Sequence, residues 1–281
     1  MDMDICLNRH TAGRGLDLPE FAGIAATAGF TGADVDLNWA AIHGASALAD
    51  LYSKHNLKFG GWGIPFDWRG DEKNRPEGLA TLDRHARIAA ELKIDFCCTW
   101  IMPSSDLPLH QNWHFHIQRL APIARVLAEH GLRLGLEFVS PYHLRRKLSH
   151  EFIFTPLAML ELANDLGPNG GLLVDSFHLH AAGEPMSVLA KVPAKQIVLV
   201  HLNDAPPVPL ANLEDGKRCL PGEGNIDLAG FLGQLKSAPY TGPIAVEVFS
   251  DDLRSLPPQV AAARAFAATH KYLTTLPPAG N

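Results

Sequence analysis

Short apolar runs rich in β-branched and aromatic residues alternate along the whole chain with longer stretches whose apolar positions recur at helical spacing. This is the pattern of successive parallel βα units. The runs predict strands over residues 3–7, 32–37, 58–62, 95–101, 133–138, 172–174, 196–202 and 244–248. The spacing between them predicts helices over 18–28, 46–55, 76–92, 113–130, 156–166, 186–191, 228–237 and 258–272. Asp17 followed by Pro19 is a helix-start signal, while Gly29 and Gly131 are stops. Leu79, Leu82, Ala86 and Ala89 share one face of the third long helix. No linker, low-complexity segment or short repeat interrupts the alternation. The pattern predicts an α/β fold, a single (β/α)8 TIM barrel with residues 1–281 as one domain. PPAGN at 277–281 reads as a frayed tail.

Four of the runs end on residues that a buried strand does not favour. LRLGLEF reaches Glu137, GLLVD reaches Asp175, QIVLVHL reaches His201 and PIAVEVF reaches Glu247. In the predicted barrel these belong to the last four strands. Neighbouring strands lie about 5 Å apart, so the four side chains can converge on one cation at the C-terminal mouth. Each acid alone reads equally well as a strand end meeting solvent or a lysine; the four in strand order carry the ligand reading. Three carboxylates and one imidazole favour Mn²⁺, Mg²⁺ or Co²⁺ with open coordination positions, Mn²⁺ first, over a closed structural zinc site, and leave catalytic Zn²⁺ open.

Other residues gain interest from their places relative to this quartet. His178 falls in the predicted loop leaving strand six and is a candidate substrate contact, with His180 more readily structural. The excursion at 203–228 is Pro- and Gly-rich and too long for an ordinary βα loop, so it is expected to fold over the mouth as a partial lid. Within it Arg218 is a candidate to hold a substrate oxygen, and Gly222 and Gly224 allow tight turns. Trp62, Trp100 and Trp113 lie near predicted strand ends or in a loop, as aromatic faces for a sugar or as ordinary packing. Arg145, Arg146 and Lys147 read first as solvated surface, with an anionic substrate group or a subunit contact as alternatives. His114 and His116 open a predicted helix on different faces and are poor joint ligands.

Composition narrows the class further. The 281 residues are 47% hydrophobic and 19% charged, as in a globular enzyme, and the net charge of −6 argues against non-specific nucleic-acid binding. There is no apolar run of membrane-spanning length, and MDMDIC lacks the basic residues of a secretory signal, so a soluble cytoplasmic protein without a membrane partner is expected. Cys6, Cys97, Cys98 and Cys219 show no CxxC spacing and read as reduced thiols.

VDSFHLH at 174–180, HLND at 201–204, RCLPGEGNID at 218–227 and VEVF at 246–249 resemble the sugar isomerase and epimerase branch of the xylose isomerase-like barrels, the keto-inositol isomerases above all. The resemblance covers about residues 132–272; toward the N-terminus only the strand order is shared. It implies that Glu137, Asp175, His201 and Glu247 bind a divalent metal and that His178 and Arg218 face the substrate. It also implies that Glu137 and Glu247 transfer protons, that the substrate is a sugar, keto-sugar or keto-inositol, and that a homo-oligomer is in keeping with the family.

The chemistry agrees, since a metal on a carbonyl oxygen and its neighbouring hydroxyl stabilises an enediolate while flanking carboxylates remove and return the proton. A lyase on the same barrel is the main alternative, with His143 or His150 as the acid at the leaving group. A phosphodiester-cleaving endonuclease would carry further histidine ligands on earlier strands, where this chain has GGWGIP and TWIMP. A non-catalytic sugar-binding protein would have little use for a full ligand set.

Overall fold

Residues 4–13 and 15–275 are described by the computed structural model, in which the eight apolar runs become eight strands. The predicted strand start at residue 3 and the tail at 277–281 lie outside the described residues. The strands are β1 Ile5–Leu7, β2 Gly32–Ala33, β3 Lys58–Phe59, β4 Phe96–Ile101, β5 Arg133–Phe138, β6 Gly170–Asp175, β7 Ile197–Leu202 and β8 Ile244–Val246. All pair in parallel in the order β3-β2-β1-β8-β7-β6-β5-β4. The seam between β3 and β4 is closed just past β3, where Cys98 N–H donates to Trp62 O at 3.0 Å and Ile64 N–H donates to Cys98 O at 3.3 Å. A closed (β/α)8 barrel results.

The principal helices are α1 Leu18–Ala28, α2 Ala45–Lys54, α3 Arg75–Glu91, α4 Leu109–Glu129, α5 Pro156–Leu166, α6 Ser176–Ala181, α7 Leu228–Ser237 and α8 Pro258–Thr275. Phe21, Leu82, Leu120, Ile123 and Phe231 on their inner faces are fully buried, as are Leu134, Leu136, Leu172, Val174, Val200 and Val246 on the strands. The core is therefore the continuous layer between sheet and helices together with the barrel interior.

Several boundaries differ from the sequence reading for local reasons. β2 stops at Ala33 because Asp36 accepts from Asn38 and Trp39 N–H, at 3.0 and 3.2 Å, and starts a helix at Leu37–His43. α4 starts at Leu109, just after Pro108, rather than at 113, so Trp113, His114 and His116 all lie inside it. Residues 186–191 form a 3₁₀ rather than an α-helix. His178 is in no loop: Asp175 Oδ1 accepts from Phe177 N–H at 2.7 Å and His178 N–H at 3.0 Å, so α6 begins where β6 ends. Glu247 follows β8 but keeps the ladder through its N–H to Leu202 O at 3.2 Å.

The long excursion after β7 is pinned down by one side chain. Asp204 is 1% exposed; its Oδ1 accepts from Ala205 and Ile226 N–H at 2.8 and 2.9 Å, and its Oδ2 from Gly222 and Gly224 N–H at 3.1 and 3.0 Å. Gly222 sits at φ +84, a conformation that a side chain would strain. Arg218 N–H donates to Phe249 O at 2.8 Å, which fixes the returning arm of the excursion against the chain after β8.

Replacing Asp204 by Ala leaves several buried N–H groups without an acceptor. It should lower unfolding stability by about 3 kcal/mol, read as a fall in the urea midpoint. Amide exchange should speed up within 205–226 ahead of the barrel strands; unchanged protection there would show that Asp204 does not hold the excursion.

Candidate metal centre

Parallel pairing places Asp175 of β6 directly beside His201 of β7, with Glu137 near the end of β5 and Glu247 just after β8. His201 Nδ1 lies 3.2 Å from Glu247 Oε2, 3.4 Å from Glu137 Oε1 and 3.8 Å from Asp175 Oδ2. Each of the four residues offers one ligand atom, and all these atoms lie within 4.8 Å of one another. All four residues are buried. Donors spaced in this way can share a cation at bond lengths of about 2.0–2.2 Å. Glu137 Oε1 and His201 Nδ1 are buried and lack any hydrogen-bond partner. Buried polar atoms are seldom left so, and orphans aimed at a common point fit a metal ion. The four residues expected from sequence are thus brought together.

Their electrostatics follow from crowding. Burial pushes the Glu137 carboxyl above the usual range, further than His201 draws it down. Burial acts on Glu247 in the same sense, but His201 and Arg218 outweigh it and hold this carboxyl well below its ordinary value. Burial alone would disfavour a charged His201; the facing Glu247 and Glu137 win and raise its proton affinity well above that of a free imidazole.

A supporting shell fixes these groups. Asn203 Nδ2 donates to Asp175 Oδ2 at 2.9 Å and to Glu247 O at 3.0 Å, while its Oδ1 accepts from Ser176 Oγ at 2.8 Å and Phe177 N–H at 2.9 Å. One side chain thereby ties together the ends of β6, β7 and β8. Arg218 Nη1 donates to Asp175 Oδ2 at 2.9 Å and Glu247 Oε2 at 3.1 Å, and Nη2 donates to Asp215 Oδ1 at 2.8 Å. His178 is 1% exposed, with Nε2 3.2 Å from Arg218 Nη2 and Nδ1 3.4 Å from Ser140 N. A neutral imidazole has a single acceptor nitrogen, so only one of these two N–H groups can donate to it.

Beside the quartet, on the β1–β4 side, lies a cavity of about 270 Å³. Glu137, His201 and Glu247 line it, as do Asn8, His10, Asp34, Trp62 and Trp100. Trp62 is nearly buried, whereas Trp100 is 47% exposed and lies against Arg69, which is also stacked on Trp68. Asp34 is a cavity residue without a sequence signal. Its carboxylate accepts from Arg9 N–H and Gly61 N–H, both at 3.1 Å, and burial pushes it up to about 6. Asn8, His10 and Asp34 follow β1 and β2 without any recognisable motif, and Asn203 and Asp215 were visible only as polar residues of the excursion.

One expected substrate contact is corrected, and the remaining candidates lie away from the cavity. Trp113 does not reach the cavity: it lies a turn into α4, donates from Nε1 to Asp165 Oδ2 at 3.0 Å and packs edge-on to Phe152. Arg145 is over Phe154 and beside Glu151, and Arg146 donates to the Tyr142 hydroxyl. His143 Nδ1 is 3.1 Å from Leu213 O, and His150 pairs with Ser105 in a two-residue bridge. None of these four lines the cavity. His180 is half-buried in α6. The four cysteines are unbridged, and no helix among the described residues is long and apolar enough to cross a membrane.

Comparison with known proteins gives the same picture of the fold. The family model described as xylose isomerase-like TIM barrel matches residues 22–272. A solved xylose isomerase domain protein from Alicyclobacillus acidocaldarius superposes with a TM-score of 0.87 at 30% identity, covering 97% of this chain and 98% of that one. A 3-dehydroshikimate dehydratase of Pseudomonas aeruginosa is 42% identical over 92 residues, 32% of this chain and 14% of its own length. An inosose isomerase of Bacillus subtilis is 30% identical over 138 residues, 49% of this chain and 47% of its own. The chain thus spans about half or less of these two curated relatives.

Because the facing carboxylates favour a proton on His201, a metal must displace it. Mn²⁺ affinity should therefore rise with pH by about tenfold per unit while one proton is released, and level off once His201 is neutral. Calorimetric titration in buffers of different ionisation enthalpy reads this directly; a heat independent of buffer would contradict it.

Proposed function

This chain belongs to the xylose isomerase-like TIM barrel family, and on that premise we propose that it moves a proton beside the carbonyl of a sugar, keto-sugar or keto-inositol, as an isomerase or epimerase. The observation that carries the reading is the buried quartet with its two unpartnered donor atoms, Glu137 Oε1 and His201 Nδ1. Glu137, Asp175, His201 and Glu247 would hold a divalent ion, for which the oxygen-rich set favours Mn²⁺. When bound, that ion supplies the charge that stabilises an enediolate.

The remaining work falls to side chains. Glu137 and Glu247 rise from β5 and β8, with β6 and β7 between them, so they approach the quartet from its two flanks. One takes the proton from carbon and the other returns one. His178 and Arg218, expected from sequence to touch substrate, lie with Asp215 on the far side of the quartet from the cavity and hold the ligands instead, while Trp62 and Trp100 face the sugar from the cavity wall. The match to an inosose isomerase supports a keto-inositol or a similar polyhydroxy ketone as substrate.

A lyase is the second reading, favoured by the match to a dehydratase. It needs an acid at the leaving group, and here the cavity offers His10 and Asp34 in place of His143 and His150.

Glu137→Gln and Glu247→Gln should each lower kcat by about 10³-fold at saturating Mn²⁺. The reaction itself is identified by incubating keto-inositols, ketoses, 3-keto-glycosides and 3-dehydroshikimate with Mn²⁺ in D₂O. An isomer carrying one deuterium supports the isomerase, loss of water or an aglycone supports the lyase, and no turnover of any compound would sink both.

A further inference from the structure

We propose that Arg218 sets how tightly, and for what charge of ion, the quartet holds its metal, by keeping a guanidinium on two of the four ligand atoms. The proposal rests on the quartet being a metal centre. Arg218 Nη1 is 2.9 Å from Asp175 Oδ2 and 3.1 Å from Glu247 Oε2. These are the same oxygens that face His201 Nδ1 at 3.8 and 3.2 Å. The guanidinium therefore contacts the metal-facing atoms themselves, not the backs of the carboxylates.

It is also held there. The Arg218 side chain is 1% exposed, and its guanidinium lies 4.4 Å from the Phe249 ring centre and 5.0 Å from that of Phe177. Its Nη2 is occupied by Asp215. Its backbone is fixed to Phe249 within the excursion that Asp204 anchors. An arginine keeps its charge throughout the working pH range, so this cation cannot be titrated away.

Two effects then oppose a metal. The guanidinium repels it across a short, water-poor distance. It also uses a lone pair on each oxygen, and Asp175 Oδ2 already accepts from Asn203 Nδ2, which leaves that oxygen little free capacity. The three ligand carboxylates and Asp215 share this one guanidinium, so removing it raises the uncancelled negative charge facing a metal by one. The repulsion removed scales with the charge of the ion, so a trivalent ion gains more than a divalent one.

The test is metal affinity, not turnover. Wild type, Arg218→Met, Arg218→Gln and Arg218→Lys are titrated with Mn²⁺ by calorimetry and with Tb³⁺ by luminescence, with far-UV circular dichroism of each. The two neutral variants should bind Mn²⁺ about tenfold or more tighter than wild type and gain still more for Tb³⁺, whereas Arg218→Lys stays near the wild-type value. A neutral variant that folds only on adding Mn²⁺ is the same result in stronger form. Folded neutral variants that bind Mn²⁺ no tighter than wild type would overturn the proposal. So would failure of both to fold even with Mn²⁺, because Arg218 would then be a structural strut. Wild type that binds none of Mn²⁺, Mg²⁺, Co²⁺ or Zn²⁺ would instead remove the metal-centre reading itself.

Discussion

Three carboxylates crowded at the ends of buried strands repel one another and have lost their hydration, and the upper half of the barrel is arranged around offsetting that. The three are treated unequally. Asp175 is the most fully satisfied, with one oxygen capping α6 and the other taking Asn203 and Arg218. Glu247 is held ionised by His201 and Arg218. Glu137 Oε1 makes no well-formed hydrogen bond, its facing group being His201 Nδ1 at 3.4 Å, and these two atoms of the quartet are left without one. A buried charge left uncompensated is strongly destabilising, so the unpaired donors point to where a cation belongs.

This demand explains why the chain after β7 is tied down by so many hydrogen bonds. Arg218 can stand against the ligands only if the excursion that carries it is itself fixed, and Asp204 does this by gathering four backbone N–H groups. HLND thus holds three successive tasks in four residues: His201 faces the quartet, Asn203 ties the strand ends and Asp204 anchors the excursion. The sharp turn at Asp175 serves two tasks at once, ending a strand and starting a helix, which brings His178 beneath Arg218 rather than into solvent.

The barrel and its quartet were legible in the sequence because both are periodic features: apolar runs recur, and an acid or histidine closing four of them breaks the pattern visibly. What escaped depends on contacts between distant segments. The Arg218–Asp175 bond joins residues 43 apart, and nothing near Arg218 announces it. Asp215, Asp204 and Asn203 look like ordinary polar residues of a Pro- and Gly-rich stretch until the fold shows what they face. Trp113 misled because α4 has no capping side chain at its start; Pro108 supplies no side-chain hydrogen bond, so the helix begins a turn earlier than its strongest apolar residues suggest. Asp34 gives no signal in the sequence because the end of its strand is held by two single bonds, Asp34 N–H to Leu7 O and Val35 N–H to Gly61 O, and not by a regular ladder.

The cavity opens on the β1–β4 side, while the far side of the quartet is roofed by Arg218, Asp215 and His178. The quartet is thereby open on one side and closed on the other. On the open rim Trp100 is half-exposed against Arg69, whereas Asn8 caps the following helix through His10 N–H and Asp34 gathers the Arg9 and Gly61 N–H groups, so exchange is freest at Trp100. Diversification in such a barrel is a matter of redecorating one rim.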